Sequence, residues 1–146
     1  MKRQLLRWLP QCLLALVLGL AFAAGPVAAK SKQQRLQATL YEYAGTFRWG
    51  EVEQIVAYFD TGEKAAKPPT AFDIQRWKQW RVVGYRAQPY AMFKDGFAEQ
   101  VVTIEISNVN TLATKTIVDR QRWRYDDKRK HWMLMTGLPV LTNDSR

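Results

Sequence analysis

Apolar residues recur along this chain first at helical and then at strand spacing, and the change falls near residue 79. Leu36, Leu40, Tyr43 and Phe47 follow one another at intervals of four, three and four, which lines one face of a helix predicted over residues 33–47. Gly50 marks its end. Glu51 and Glu53 then open a second, shorter helix, where carboxylates suit the positive end of the dipole, and Val52, Ile55, Val56 and Phe59 form its apolar stripe. Residues 61–69 carry Gly62, Lys64, Lys67, Pro68 and Pro69 without apolar periodicity and read as an exposed connection. Thr70 with Asp73 three residues on forms a capping box with the shorter acid, opening a third brief helix to about Lys78.

Beyond Gln79 the period falls to two. Residues 80–93 hold Val82, Val83, Tyr85, Tyr90 and Phe93, with Pro89 removing one ladder donor and so marking a bulge or an edge. Asp95-Gly96 predicts a tight hairpin turn. In the strand that follows, Ala98, Val102, Ile104 and Ile106 share one face while Glu99, Thr103 and Glu105 share the other. Asn108 to Asn110 turn the chain again. Residues 112–125 place Ile117, Trp123 and Tyr125 opposite Arg120, Arg122 and Arg124, and residues 131–138, with Trp132, Met133, Leu134 and Met135, return after a polar loop at 126–130. Helices first and a four-stranded antiparallel meander afterwards predict an α+β domain, its helices packed on one face of a strongly curved sheet.

The leading residues fit neither pattern. Lys2, Arg3 and Arg7 precede an apolar run over 13–22, and Val27-Ala28-Ala29 supplies the small residues that a signal peptidase requires. Residues 1–29 therefore read as a signal peptide, with a mature single domain over 30–146 that is periplasmic or secreted. The alternative is an uncleaved inner-membrane anchor, since residues 9–29 approach the roughly 20 apolar residues that span a bilayer; Pro10, Gln11, Gly25 and Pro26 interrupt that stretch. Cys12 precedes the apolar run and lacks the small-residue box that lipidation needs.

Cys12 is the single cysteine, so the expected mature domain has no disulfide and no thiolate site and relies on an ordinary core. Setting aside Lys2, Arg3 and Arg7 leaves 19 basic against 13 acidic residues, a net charge of +6. That balance suits solubility or contact with anionic lipid or glycan, and export argues against nucleic acid.

The element order over 33–138 carries a resemblance to a known family. So do Phe47-Arg48-Trp49-Gly50-Glu51 between the first two helices, and Arg122-Trp123-Arg124-Tyr125-Asp126 leading into Trp132 and Gly137-Leu138-Pro139. With these features the chain resembles the nuclear transport factor 2-like superfamily, and within it small exported bacterial proteins with no established activity. The resemblance implies a cystatin/nuclear transport factor 2-like cone. It speaks to fold more than to function, because these are packing and turn residues. Catalytic members of that superfamily place an acid-base pair inside the cone, which here would draw on Asp73, His131 or Glu105 with Tyr41, Tyr43 or Tyr85 as donors.

No two of those residues form a motif. Asp73 is accounted for as a helix cap, and His131, the single histidine, follows Lys128-Arg129-Lys130 at a hairpin mouth. A histidine-rich metal site, a glycine-rich phosphate loop and a nucleophile elbow are all missing from the sequence, and no cofactor is implied. Two binding surfaces remain. Arg120, Arg122 and Arg124, joined by Lys128, Arg129 and Lys130, offer guanidinium forks to phosphates or carboxylates, unless Glu99 and Glu105 neutralise them across strands. Trp77, Trp80, Trp123 and Trp132 would line a pocket for a small apolar ligand, unless they fill the core. The functional expectation is thus an exported, non-catalytic binding or accessory domain contacting an envelope component. An isomerase or dehydratase and an anionic-membrane binder are the alternatives.

Overall fold

A computed structural model describes residues 31–141. The expected signal peptide, its cleavage point before Lys30, and Cys12 lie outside the described residues. The order is α1 (Lys32–Trp49), α2 (Val52–Val56), α3 (Ala71–Trp77), β1 (Trp80–Ala87), β2 (Ala91–Met92), β3 (Phe97–Asn108), β4 (Thr114–Asp126) and β5 (His131–Leu134). The named strands pair antiparallel throughout, in the spatial order β1-β3-β4-β5 with β2 also beside β3. The sheet curves strongly into a half-barrel, and the helices pack on its concave side.

Local chemistry accounts for the boundaries. Ser31 caps α1 by accepting from the Gln34 amide at 3.1 Å while Gln34 Oε1 accepts from the Ser31 amide at 3.0 Å. Gly50 ends it at a close approach, since a Cβ there would lie 2.7 Å from the Thr46 carbonyl oxygen. Helix α2 stops at Val56, short of the predicted residue 59, because the chain leaves it to join the sheet. Phe59 forms a parallel bridge with Leu134, whose amide donates to Tyr58 O at 2.7 Å and whose carbonyl accepts from the Asp60 amide at 2.8 Å. The outer edge of β5 is thereby covered.

The predicted strand over 80–93 divides at Pro89. Strands β1 and β2 occupy one lane beside β3, with Tyr85 opposite Ile104 and Ala91 opposite Glu99. An added residue, Val83, bulges between Val82 and Gly84. Gly96 takes φ +84° in the Asp95-Gly96 turn. Residue 112 belongs to the following turn rather than to β4, with Leu112 itself at φ +58°.

The core lies between the concave face and the helices. Leu36, Tyr43 and Phe47 of α1 meet Val102, Ile104, Ile106, Trp123, Trp132 and Leu134, all essentially inaccessible. Tyr43 stands edge-on to Trp123 with ring centroids 5.0 Å apart, a geometry that adds about 1 kcal/mol beyond the area buried. Trp132 Nε1 donates to the Lys32 carbonyl at 2.9 Å and pins the start of α1 to β5.

Candidate functional site

The corner where α1 meets α2 carries an open cleft of about 520 Å³. Helix α1 runs two residues beyond its predicted end, so Arg48 and Trp49 project at its last turn, and Trp49 is 79 % exposed. Trp77 closes α3 and Trp80 opens β1, so both indoles reach the same cleft. Val109 joins from the β3–β4 turn, which is held down by its amide donating to Gln79 O at 2.9 Å. Arg48 stacks over Trp49 at 5.2 Å and Lys115 over Trp80 at 5.2 Å. Lys78 is bound to Glu53 at 2.6 Å, whereas neither Arg48 nor Arg81 has a carboxylate partner among the described residues. A mixed polar and indole-lined cleft with guanidinium groups that lack carboxylate partners on its rim can hold an apolar body and an anionic end.

A second constellation lies between the curved sheet and α1. Asp119 is 6 % exposed on the inner face of β4, and its Oδ2 accepts from Gln121 Nε2 at 2.8 Å. The same amide nitrogen donates to the Tyr85 hydroxyl at 3.3 Å, and Gln121 Oε1 accepts from Trp123 Nε1 at 3.3 Å. No cation pairs with Asp119 among the described residues. Burial therefore pushes its carboxyl up to about 6, against a weaker lowering by the Gln121 hydrogen bond. Burial raises the Tyr85 phenol to about 12 and carries Tyr43 well above its ordinary value, with Asp119 adding to both. The Tyr43 hydroxyl is buried with no hydrogen-bond partner.

The residues singled out from sequence separate. Arg120, Arg122 and Arg124 face outward on β4, as the alternation predicts. Glu99 does sit opposite Arg122, at 3.8 Å. Glu105 instead binds Arg86 at 2.6 Å, and Arg124 is gripped by Asp60 through two bonds of 2.6 and 2.9 Å. Two of the three arginines are thus paired, Arg122 with an acid on β3 and Arg124 with one on the chain covering β5, while Arg120 has no carboxylate partner among the described residues. Lys128, Arg129 and Lys130 lie exposed in the β4–β5 turn, with Arg129 at 4.0 Å from Asp126.

Trp123 and Trp132 fill the core, and Trp77 is buried with them against Phe47, so of the four tryptophans only Trp77, at the edge of the core, and Trp80 share a cleft. Asp73 caps α3, its Oδ2 accepting from the Thr70 amide and hydroxyl at 2.9 and 2.7 Å, bonds that hold its carboxyl below the usual range. Tyr41 is 84 % exposed and cannot serve the interior; Tyr43 and Tyr85 point inward but toward Asp119, not Asp73. His131 is exposed and Glu105 lies on the outer face.

Three site features escaped the sequence reading. Trp49 and Arg48 stood in a motif read as packing. Asp119 and Gln121 were passed over although the alternation through Ile117, Trp123 and Tyr125 puts both on the buried face. Asp60, at a helix end with no pattern of its own, carried no signal. Among the described residues no cluster of histidine, cysteine, aspartate or glutamate could hold a metal ion, and no helix is long and apolar enough to cross a membrane. No family model matches the chain, and no curated protein matches it.

Proposed function

We propose that the protein is an exported, non-catalytic binding domain of the nuclear transport factor 2-like cone type, which takes an apolar, negatively charged envelope component at the α1–α2 corner. The observation that carries this reading is one cleft joining Trp49, Trp77 and Trp80 to Arg48 and Arg81. An indole left 79 % exposed beside two unpaired guanidinium groups has no packing role. The fold assignment rests on the element order and on helices seated in a curved antiparallel sheet. Export rests on the leader alone.

Tryptophan fluorescence of the purified protein, titrated with dihexanoyl phosphatidylglycerol below its micelle concentration, tests the reading. A saturable change is expected, weaker with dihexanoyl phosphatidylcholine and lost in Trp49→Ala and Arg48→Gln. No saturable change with either lipid, or equal responses in the variants, contradicts it.

A further inference from the structure

The interior of the cone holds an acidic group that no cation among the described residues balances. Buried charges in folded proteins are paired or held in full hydrogen-bonding networks. Asp119 has one side-chain donor, Gln121, which is already shared with Tyr85. The other amide atom of Gln121 is taken by Trp123. Nearby, the fully buried Tyr43 hydroxyl makes no hydrogen bond, and Asp119 lies close enough to act on that phenol electrostatically. The chain is rich in lysine and arginine, yet none of those among the described residues forms an ion pair with Asp119.

The walls around these groups are aromatic. Tyr43 packs against Trp123, Tyr58 and Phe47 with centroids 5.0, 5.3 and 5.7 Å away, and Phe47 packs against Tyr85 at 5.9 Å. Ring faces attract organic cations, and they do so most strongly where water is excluded.

One side of this interior is closed by a strap rather than by a strand. Asp119 pairs with Val102, and Val102 with Ala87, the last residue of β1. Residues 88–90 then cross to β2 without ladder pairing of their own. One main-chain bond anchors the segment, the Gln88 amide donating to Val101 O at 2.9 Å, and its other ties involve side chains: the Tyr90 hydroxyl accepts from Gln37 and Gln33 of α1 at 3.0 and 3.4 Å, and Gln88 O accepts from Gln100 at 2.8 Å. Segments held by a few such partly exposed bonds open at far lower cost than the strands beside them.

We infer that the cone binds a small primary alkylammonium ion behind this strap, with Asp119 as counter-ion, the Tyr43 oxygen as a second acceptor and the aromatic rings around the alkyl stem. A primary ammonium supplies the donors that Asp119 and Tyr43 both lack. Nonspecific uptake is disfavoured, because the protein's net charge repels cations. The titratable groups facing Asp119 are Tyr85 from β1 and Tyr43 from α1, with Tyr58 behind Tyr43. The Tyr43 and Tyr85 phenols are both raised above their ordinary value, so the pH dependence of binding between pH 5 and pH 8 follows Asp119. This site is separate from the corner cleft and stands or falls without it.

Calorimetric titration of the purified protein with n-butylammonium chloride at pH 8 and pH 5, with n-butanol as the uncharged control, tests the inference. Saturable binding at pH 8, at least tenfold weaker at pH 5 and absent for butanol, is the expected result. Asp119→Asn should abolish binding while remaining folded by circular dichroism, and Tyr90→Phe should speed association without loss of affinity. Absence of saturable butylammonium binding by the folded wild-type protein at pH 8, or undiminished binding in Asp119→Asn, overturns it.

Discussion

The two faces of β4 carry charge in opposite ways. On the outer face Arg122 and Arg124 have acid partners, and water reaches all three arginines of the row. On the inner face, one residue out of step, Asp119 is shut away with a glutamine and two phenols and with no cation among the described residues. An alternating charged row is what a half-buried strand shows whether or not it binds anything. A buried, unbalanced acid opposes folding at neutral pH, which is why it marks the interior, and not the arginine row, as the place where stability has been given up for something else.

The contrast can be broken most severely at the wall between the two faces. Trp123→Ala removes a fully buried indole, its edge contact with Tyr43 and the donor to Gln121, and should cost about 3–5 kcal/mol by urea unfolding. Next comes the interior acid itself. Its carboxyl is raised from 3.8 to about 6 on folding, so its ionised form is the disfavoured one. The stability it allows is complete below pH 3.8 and is lost as pH rises through 6. Asp119→Asn should therefore stabilise the protein by about 3 kcal/mol at pH 7.5, a gain that vanishes below pH 4.

On the outer face the effects should be smaller and opposite in sign. Arg124→Ala leaves Asp60 buried without its bidentate partner and should cost about 2 kcal/mol at pH 7. The Arg124 bond holds the Asp60 carboxyl below its usual range, so this cost should shrink as pH falls below 4. Arg122→Ala, which breaks an exposed 3.8 Å pair and the stacking of the guanidinium over Phe97 at 4.7 Å, should change stability by less than about 1 kcal/mol. A loss at Arg122 as large as that at Arg124 would remove the distinction between them.

Much of this arrangement was readable in the chain. Period-3.6 stripes and period-2 alternation placed three helices, the four lanes of the sheet and the inward side of Trp123, because burial dictates those periods locally. The same rule places Asp119 and Gln121 inside, but a lone acid on an apolar face makes no cluster in the sequence, whereas the arginines of the opposite face do. Other features were not local at all. Asp60 finds Arg124 across 64 positions of sequence, and α2 ends early because Phe59 pairs with Leu134. The corner cleft is likewise assembled from residues 47–55, 77–82 and 109, which no pattern in the sequence joins.

The most direct test is a carboxyl-carbon NMR titration of the unliganded protein that follows Asp60 and Asp119 together. The account predicts that Asp119 titrates near pH 6 while Asp60 stays below 3.8. Asp119 titrating at or below 3.8 would mean that its charge is balanced after all, and would contradict the claim that the inner face holds an unpaired acid.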